Sequence, residues 1–490
     1  MANNKLGSLA KQTAIYGLSS IIGRFLNYLL VPLYTHKIDA ASGDYGIVTN
    51  LYAYTALLLV LLTFGMETTF FRFSNKDGVN PDKAFSTSAL SVGFVSLVFV
   101  ILVSVFLKPI SAALDYAAHP EFIEIMSIVV ALDVFQAILF ARLRYENKAI
   151  KFATLKLLFI FLNIGMNLFI FLLAPGLKES HPALMGWYDS SYQVGYIFVV
   201  NLICTSLITL GFIPEMKKLR YGIDRELLKP MLKYTWPLLL LGLAGILNQV
   251  ADKICYRFIV PGKEGEVQLG IYGACVKIAM IMAMITQAFR YAYEPFVFGG
   301  KRDKEDRQTQ ADVMKYFIIF TLLAYLAVVM YMPILKYIIG PDYWEGLRVV
   351  PIVMMAEIFM GIYFNLSFWY KLIDETWWGA IFSTIGCAVL LSINFIFVPK
   401  YGYMACAWGG FAGYGTCMVL SYFVGQKKAP IPYDLKSAAF YFGLAIVLFF
   451  AQQCISIENT VLTLVVNTVL MLVFVAAICW KERALMKRHE

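Results

Sequence analysis

The chain has 490 residues, of which 60% are hydrophobic and 15% charged, and its mean hydropathy is +0.69. A soluble globule of this length cannot shield so much apolar surface from water, so the composition points to lipid as the solvent. The net charge of +9 is carried largely by Lys and Arg in short loops beside apolar stretches, a pattern of membrane orientation and not of nucleic-acid binding.

Fourteen apolar stretches follow one another, near 12–33, 45–66, 84–107, 120–141, 152–174, 187–212, 236–259, 268–290, 313–335, 346–370, 377–398, 402–425, 437–455 and 460–480. Each is long enough to cross the hydrocarbon core as a helix, which satisfies its own backbone groups there. The short alternating segments of an outer-membrane barrel are absent. With the N-terminus placed in the cytoplasm, the inner loops and tails hold 27 basic residues and the outer loops 6, so both termini are expected to be cytoplasmic. Trp187, Trp236, Trp344, Trp377, Trp378 and Trp480 fall at span ends, as an aromatic belt requires. No cleavable leader is expected, because the first span is long, retains Arg24 and lacks a small-residue cleavage site.

The eight cysteines show no C-x-x-C pairing and the four histidines no ligand spacing, so neither metal nor cofactor is expected. There is no G-x-x-x-x-G-K-[ST] phosphate loop, no large soluble segment and no cluster of carboxylates in the outer loops. These absences argue against ATP hydrolysis and against a membrane polymerase or acyltransferase, and no catalytic residue is assigned.

An offset of 227 residues aligns Tyr45-Gly46 with Tyr272-Gly273, Glu67 with Glu294, and Ala84 with Ala311. The same gapless offset brings Asp115-Tyr116 onto Asp342-Tyr343, Arg144 onto Lys371, and Asn167 onto Asn394. Six spans per unit is an even number, so the two units enter the membrane in the same orientation, as parallel transporter repeats do. The expected organisation is an N-terminal six-helix lobe over 1–213 and a cytoplasmic amphipathic linker over 214–234. A second six-helix lobe over 235–426 follows, then two extra helices and a cytoplasmic tail over 427–490. In the linker, Leu219, Ile223, Leu227 and Leu228 offer one apolar face to the membrane surface.

Polar residues within spans mark the candidate site. A charge at the bilayer centre costs roughly 2.5–3.5 kcal/mol on insertion scales, so Arg24, near the middle of the first span, needs a wet cavity or a partner. Arg24 and Asn27 share a helical face with Ser20 and Tyr28; Gln249, Asp252, Lys253, Tyr256 and Arg257 form a similar stripe. Lys277 lies about ten residues into span 8, and the repeat pairs it with Asn50. One reading makes these cations the lining of a cleft for an anionic head group. Another makes them packing pairs, with Asp252 neutralising Lys253 or Lys277. Asp133 and Glu357 are buried-acid candidates for carrying a coupling proton, or for pairing with a nearby polar group. Glu67 and Glu294, at matching span ends, suit a structural role near a cytoplasmic gate.

The segments Thr13-Ala14-Ile15-Tyr16-Gly17-Leu18 through Ile22-Gly23-Arg24, Leu30-Val31-Pro32-Leu33-Tyr34, Asp44-Tyr45-Gly46, and Gly65-Met66-Glu67-Thr68-Thr69-Phe70-Phe71-Arg72 carry a resemblance. The chain resembles the multidrug/oligosaccharidyl-lipid/polysaccharide exporter superfamily, most closely its Wzx-type bacterial polysaccharide flippases. The resemblance implies an all-α, MATE-like fold of fourteen transmembrane helices, with two six-helix lobes around a central cavity and two extra C-terminal helices. It implies a bacterial inner-membrane flippase, not an enzyme, that moves a polyprenyl-diphosphate-linked oligosaccharide for O-antigen or capsule-like polysaccharide by alternating access. A polysaccharide polymerase and a chain-length regulator are the implied partners. The family's basic cavity residues map to Arg24 and, more loosely, to Lys253, Arg257 and Lys277. A lipid II-type flippase and a cation-coupled drug or small-solute antiporter of the same fold are the alternatives.

Overall fold

A computed structural model describes residues 26, 28–219, 221–299, 304–373, 375–455 and 459–482. Arg24 and Asn27, with most of the first expected span, lie outside the described residues.

Helix follows helix: α1 is Leu30–Lys37, α2 Asp44–Thr63, α3 Met66–Ser74, α4 Pro81–Val105, α5 Pro120–Tyr145, α6 Ala149–Leu168, α7 Gln193–Leu210, and α8 Arg225–Ile259. Beyond these, α9 is Gly262–Gly299, α10 Lys304–Met330, α11 Val350–Leu366, α12 Trp377–Tyr401, α13 Tyr403–Lys428, α14 Leu435–Cys454, and α15 Thr460–Lys481. Among the described residues no strand occurs, and twelve helical segments are long and apolar enough to cross a membrane. They coincide with twelve of the expected spans. The span expected at 402–425 is the helix α13, which is not one of those twelve. The protein is thus an all-helical integral membrane protein.

Two compact units divide the chain at Gly270 and Ile271. In the first, α5 packs against α4 and α7, and α2 against α5 and α8. Its core joins Met66, Phe70, Phe85, Val134, Ile138, Leu139, Phe212 and Met231, all close to fully buried. Such a core forms inside a lipid-bathed bundle through close packing, since lipid tails give helices little hydrophobic reason to associate.

Two glycines let the helices of this unit approach. Phe64 and Gly65 both take positive φ, 35° and 72°, which ends α2 and re-aims the chain into α3. A side chain at Gly65 would in addition meet Leu238 Cβ at 2.9 Å. At Gly46 a Cβ would stand 1.9 Å from the Glu266 carbonyl oxygen, so only glycine admits the start of α9 against α2.

The C-terminal part of the expected linker, from Arg225, belongs to α8. Asp224 caps α8 by accepting from the backbone of Glu226 and Leu227, and the helix runs on through Pro230 and Pro237 to Ile259. Leu219, Leu227 and Leu228 pack against the core of the first unit, so that apolar face is spent on protein, while Ile223 remains exposed.

In the second unit α13 packs along α12 and α11, and α10 carries α14 and α15. The last two helices are fixed by polar contacts. Lys315 Nζ lies 2.8 Å from Glu482, Tyr441 donates to the same carboxylate at 3.0 Å, and Asn467 donates to the Met330 carbonyl at 2.6 Å. Positions paired by the 227-residue offset share their environment: Tyr45 and Tyr272, Ala84 and Ala311, Tyr116 and Tyr343, and Asn167 and Asn394 are all buried.

Candidate functional site

The polar stripe of α8 is where the described site residues gather. Asp252 is buried, and the adjacent Lys253 turns its ammonium onto both carboxylate oxygens at 3.0 Å and onto the Gln249 carbonyl at 3.1 Å. Asn50, at 1% exposure on α2, donates to the Lys253 carbonyl at 2.8 Å and accepts from the Tyr116 hydroxyl at 2.8 Å. A buried amide engaged at both ends fixes two helices to one turn.

Arg257 lies one helical turn beyond Lys253. Its side chain is 4% exposed, its Nη2 donates to Asp115 at 2.7 Å, and its guanidinium sits 4.7 Å over the Tyr116 ring. Nη1 stands 3.1 Å from Glu266, an ion pair whose geometry is not that of a hydrogen bond, so Nη1 and Nε keep donor capacity unfilled among the described residues. Asp115 also accepts from the Gly262 backbone at 3.0 Å, and Lys263 lies 3.6 Å from Glu266. Burial pushes the Asp115 carboxyl up, but the hydrogen bonds from Arg257 and Gly262 outweigh it and hold the group below its usual value.

Asn50, Asp252, Lys253 and Arg257 therefore form one connected polar chain, with Asp115, Tyr116 and Glu266 as members the sequence reading did not place there. Three cations, Lys253, Arg257 and Lys263, face three acids, Asp252, Asp115 and Glu266. Such a set is neutral overall and is not a naked positive pocket. Gln249 is exposed. Lys277 lies on α9 in the second unit, partly buried; Asp133 on α5 and Glu357 on α11 are partly buried in the first and second units respectively.

A second network lies at the other end of the first unit, and its cations belong to the loop charges of the sequence. Arg142, 8% exposed, meets Glu146 at 2.6 Å and also Asp82. Glu146 further receives Lys218 at 2.6 Å and Lys148 at 2.7 Å, while Lys151 meets the buried Glu215 at 2.5 Å. Arg144 pairs with Glu67, which gives that acid a partner on α5. Burial raises the Glu146 carboxyl, yet the bonds from Lys148, Lys218 and Arg142 prevail and bring it down to about 2. The acids interleaved with these cations, Asp82, Glu146 and Glu215, were the available signal.

No group of His, Cys, Asp and Glu suited to a metal occurs among the described residues. A family model described as polysaccharide biosynthesis protein matches residues 9–292. No curated protein matches the sequence. Among solved structures the chain is similar to lipid II flippase MurJ in an inward closed conformation, with a TM-score of 0.73 and 17% identity over 96% of this chain and 99% of that one. It is also similar to a multidrug resistance MATE family transporter of the MOP superfamily in an inward-facing conformation, with a TM-score of 0.61 and 13% identity over 85% and 94% of the two chains. A MATE structure in the bent conformation gives 0.52 and 16% over 85% and 95%. At these identities the likeness establishes the fold.

Proposed function

Because the chain belongs to the polysaccharide biosynthesis protein family, we propose that it is a flippase carrying polyprenyl-diphosphate-linked oligosaccharide units across the bacterial inner membrane for O-antigen or capsule-like polysaccharide. The family match and the flippase and transporter fold make a membrane transporter the premise, and the cargo is the step beyond it. The loop charges orient the chain with both termini in the cytoplasm, so the cargo is loaded on the side where its glycan is built. A polymerase and a chain-length regulator are the partners that consume what is delivered.

The observation that carries the reading to a phosphorylated cargo is Arg257. A guanidinium that is almost fully buried, paired to carboxylates on two sides and still holding two unfilled donors is suited to donate to a phosphate oxygen in place of a carboxylate. Exchange of one anion for another keeps the guanidinium paired throughout, so it avoids leaving a bare buried cation. The proposed binding set is Arg24, Asn27, Asn50, Gln249, Asp252, Lys253, Arg257 and Lys277, with Asp133 and Glu357 as ion-coupling groups. Direction requires that the cargo bind one state more tightly than the other, since a ligand of equal affinity shifts nothing.

The same fold admits a second cargo. The MurJ structure is covered over 99% of its length, which favours a lipid II-type substrate as the alternative. The test is reconstitution of the purified protein in vesicles with a fluorescent polyprenyl-diphosphate oligosaccharide, reading leaflet exchange by quenching from outside. Exchange that depends on the protein and stops in Arg24→Ala, with the variant still folded and inserted, is the expected result. Drug efflux without lipid exchange would overturn the proposal, and exchange of lipid II in preference to other carriers would transfer it to the second cargo.

A further inference from the structure

At the end of the first unit where α3 stops and α8 begins, cations are matched with acids: Arg142 with Asp82 and Glu146, Arg144 with Glu67, Lys151 with Glu215, and Lys83 with Asp224. Arg72, Lys76 and Lys233 depart from this pattern. Among the described residues none of the three has a carboxylate within ion-pair reach, and together with Phe73, Pro230 and Tyr234 they line a cavity of about 600 Å³. Its wall is aromatic. Arg72 lies 4.1 Å over the Tyr234 ring, Phe73 meets that ring edge-on at 6.4 Å, and Lys76 stands 5.7 Å from the Phe73 ring.

The local sequence builds this cavity. The break at Phe64 and Gly65 re-aims the chain into α3, which carries Arg72 in its last turn; Lys76 follows two residues past the end of that helix, while Lys233 and Tyr234 come from α8 just past Pro230. Arg72 is the last residue of the Gly65–Arg72 segment, and the proposed network around Arg257 makes no use of it. The ring beneath the guanidinium holds a cation that would otherwise fold back along its own helix.

We infer that this cavity binds a phosphate group borne on a membrane lipid, and that the diphosphate of an isoprenoid carrier is the occupant it matches. Arg72 offers a planar fork to two phosphate oxygens, and the two ammoniums serve as point charges for the rest. A diphosphate carries more charge than the single phosphodiester of a bulk lipid, so three cations without an acid partner among the described residues discriminate in its favour. The loop charges put this end in the cytoplasm, where basic pockets between membrane helices take anionic head groups. The site is then a landing place for the carrier on its loading side. That role rests on the flippase reading, whereas the binding itself is measured without it.

The test uses the full chain in nanodiscs of zwitterionic lipid, with a fluorescent polyprenyl diphosphate lacking sugar as probe. The triple variant Arg72→Gln, Lys76→Gln and Lys233→Gln removes only exposed charges; the variant Lys76→Arg with Lys233→Arg keeps them and controls for folding. Binding to the parent and to the charge-retaining variant is expected to be equal and to weaken with salt. The triple variant should bind at least about tenfold more weakly, as the loss of three exposed charge contacts implies. Binding of the triple variant equal to the parent overturns the site, and so does displacement of the probe by equimolar phosphatidylglycerol, which would give the cavity to bulk anionic lipid. Carrier binding through these cations without leaflet exchange in vesicles would uphold the site and sink the flippase reading; exchange with no dependence on them would sink the site alone.

Discussion

Arg257 on α8 grips Asp115, 142 positions earlier in the chain, at 2.7 Å. The bond ties a membrane helix to the turn between α4 and α5, and the same carboxylate caps the Gly262 amide at the start of α9. Three segments of the first unit thus converge on one carboxylate, beside the amide bridge from Asn50 to Lys253. Movement of α8 against that turn must break or exchange these polar contacts.

Replacing Arg257 by Ala leaves Glu266 without its buried partner. Removal of one member of a buried pair costs several kcal/mol, and since Asp115 is half exposed the expected loss is near the low end, about 3 kcal/mol. Thermal unfolding in detergent measures it. Asp115→Asn, which keeps an acceptor, should cost under about 1 kcal/mol. Equal losses in the two variants would contradict the placement.

Protonation of Glu146 gives a pH signature. Its folded value of about 2 lies below its ordinary 4.5, so the stabilisation is fully present above about 4.5 and is lost as the pH falls toward 2. Asp115, also depressed, adds to the same acid-side loss. Unfolding midpoints recorded at pH 7, 5, 4 and 3 should fall mainly below 5. Glu146→Gln should start lower at pH 7 and decline less steeply, and parallel curves would show that Glu146 does not carry the effect.

Gly46→Ala tests the contact between α2 and the start of α9. The added Cβ would overlap the Glu266 carbonyl, which is backbone and cannot rotate away, so destabilisation of about 2 kcal/mol or more is expected. Gly165→Ala on α6 meets nothing within 4 Å and should be neutral or stabilising by up to about 1 kcal/mol. Similar behaviour of the two variants in thermal unfolding would remove the close approach at Gly46.

Lys315→Met should loosen α14 and α15, because Glu482 would be left as a buried acid with only the Tyr441 hydroxyl, at a cost of roughly 3–5 kcal/mol. Faster proteolysis in the 429–434 connection is the readout. Adding Glu482→Met should restore much of the protection, since two apolar residues leave no charge unpaired. Failure of the second substitution to help would point to packing, not charge, as what docks these helices.

The helices were legible along the chain, though not all their ends, because lipid imposes the same demand on every crossing segment: enough apolar residues in a row, and a helix to satisfy the backbone. Thirteen expected spans coincide with helices for that reason, twelve of them long and apolar enough to cross, and the buried pairs Tyr45 and Tyr272, Tyr116 and Tyr343, and Asn167 and Asn394 were visible as a repeat. Which charge meets which was not legible. Asp252 neutralising Lys253 was one of two readings open from their adjacency, but Asp115, Glu266 and Asn50 reach α8 from distant positions, and Arg142 was counted as a loop charge although Asp82 and Glu146 enclose it. The physical reason is range: the hydrophobic demand acts on each segment by itself, whereas an ion pair exists only when packing has brought two remote side chains within a few ångströms. Sequence alone therefore determined a polytopic helical membrane protein, and tertiary structure decided which of its cations are paired and which, at Arg72, Lys76 and Lys233, have no acid within ion-pair reach among the described residues.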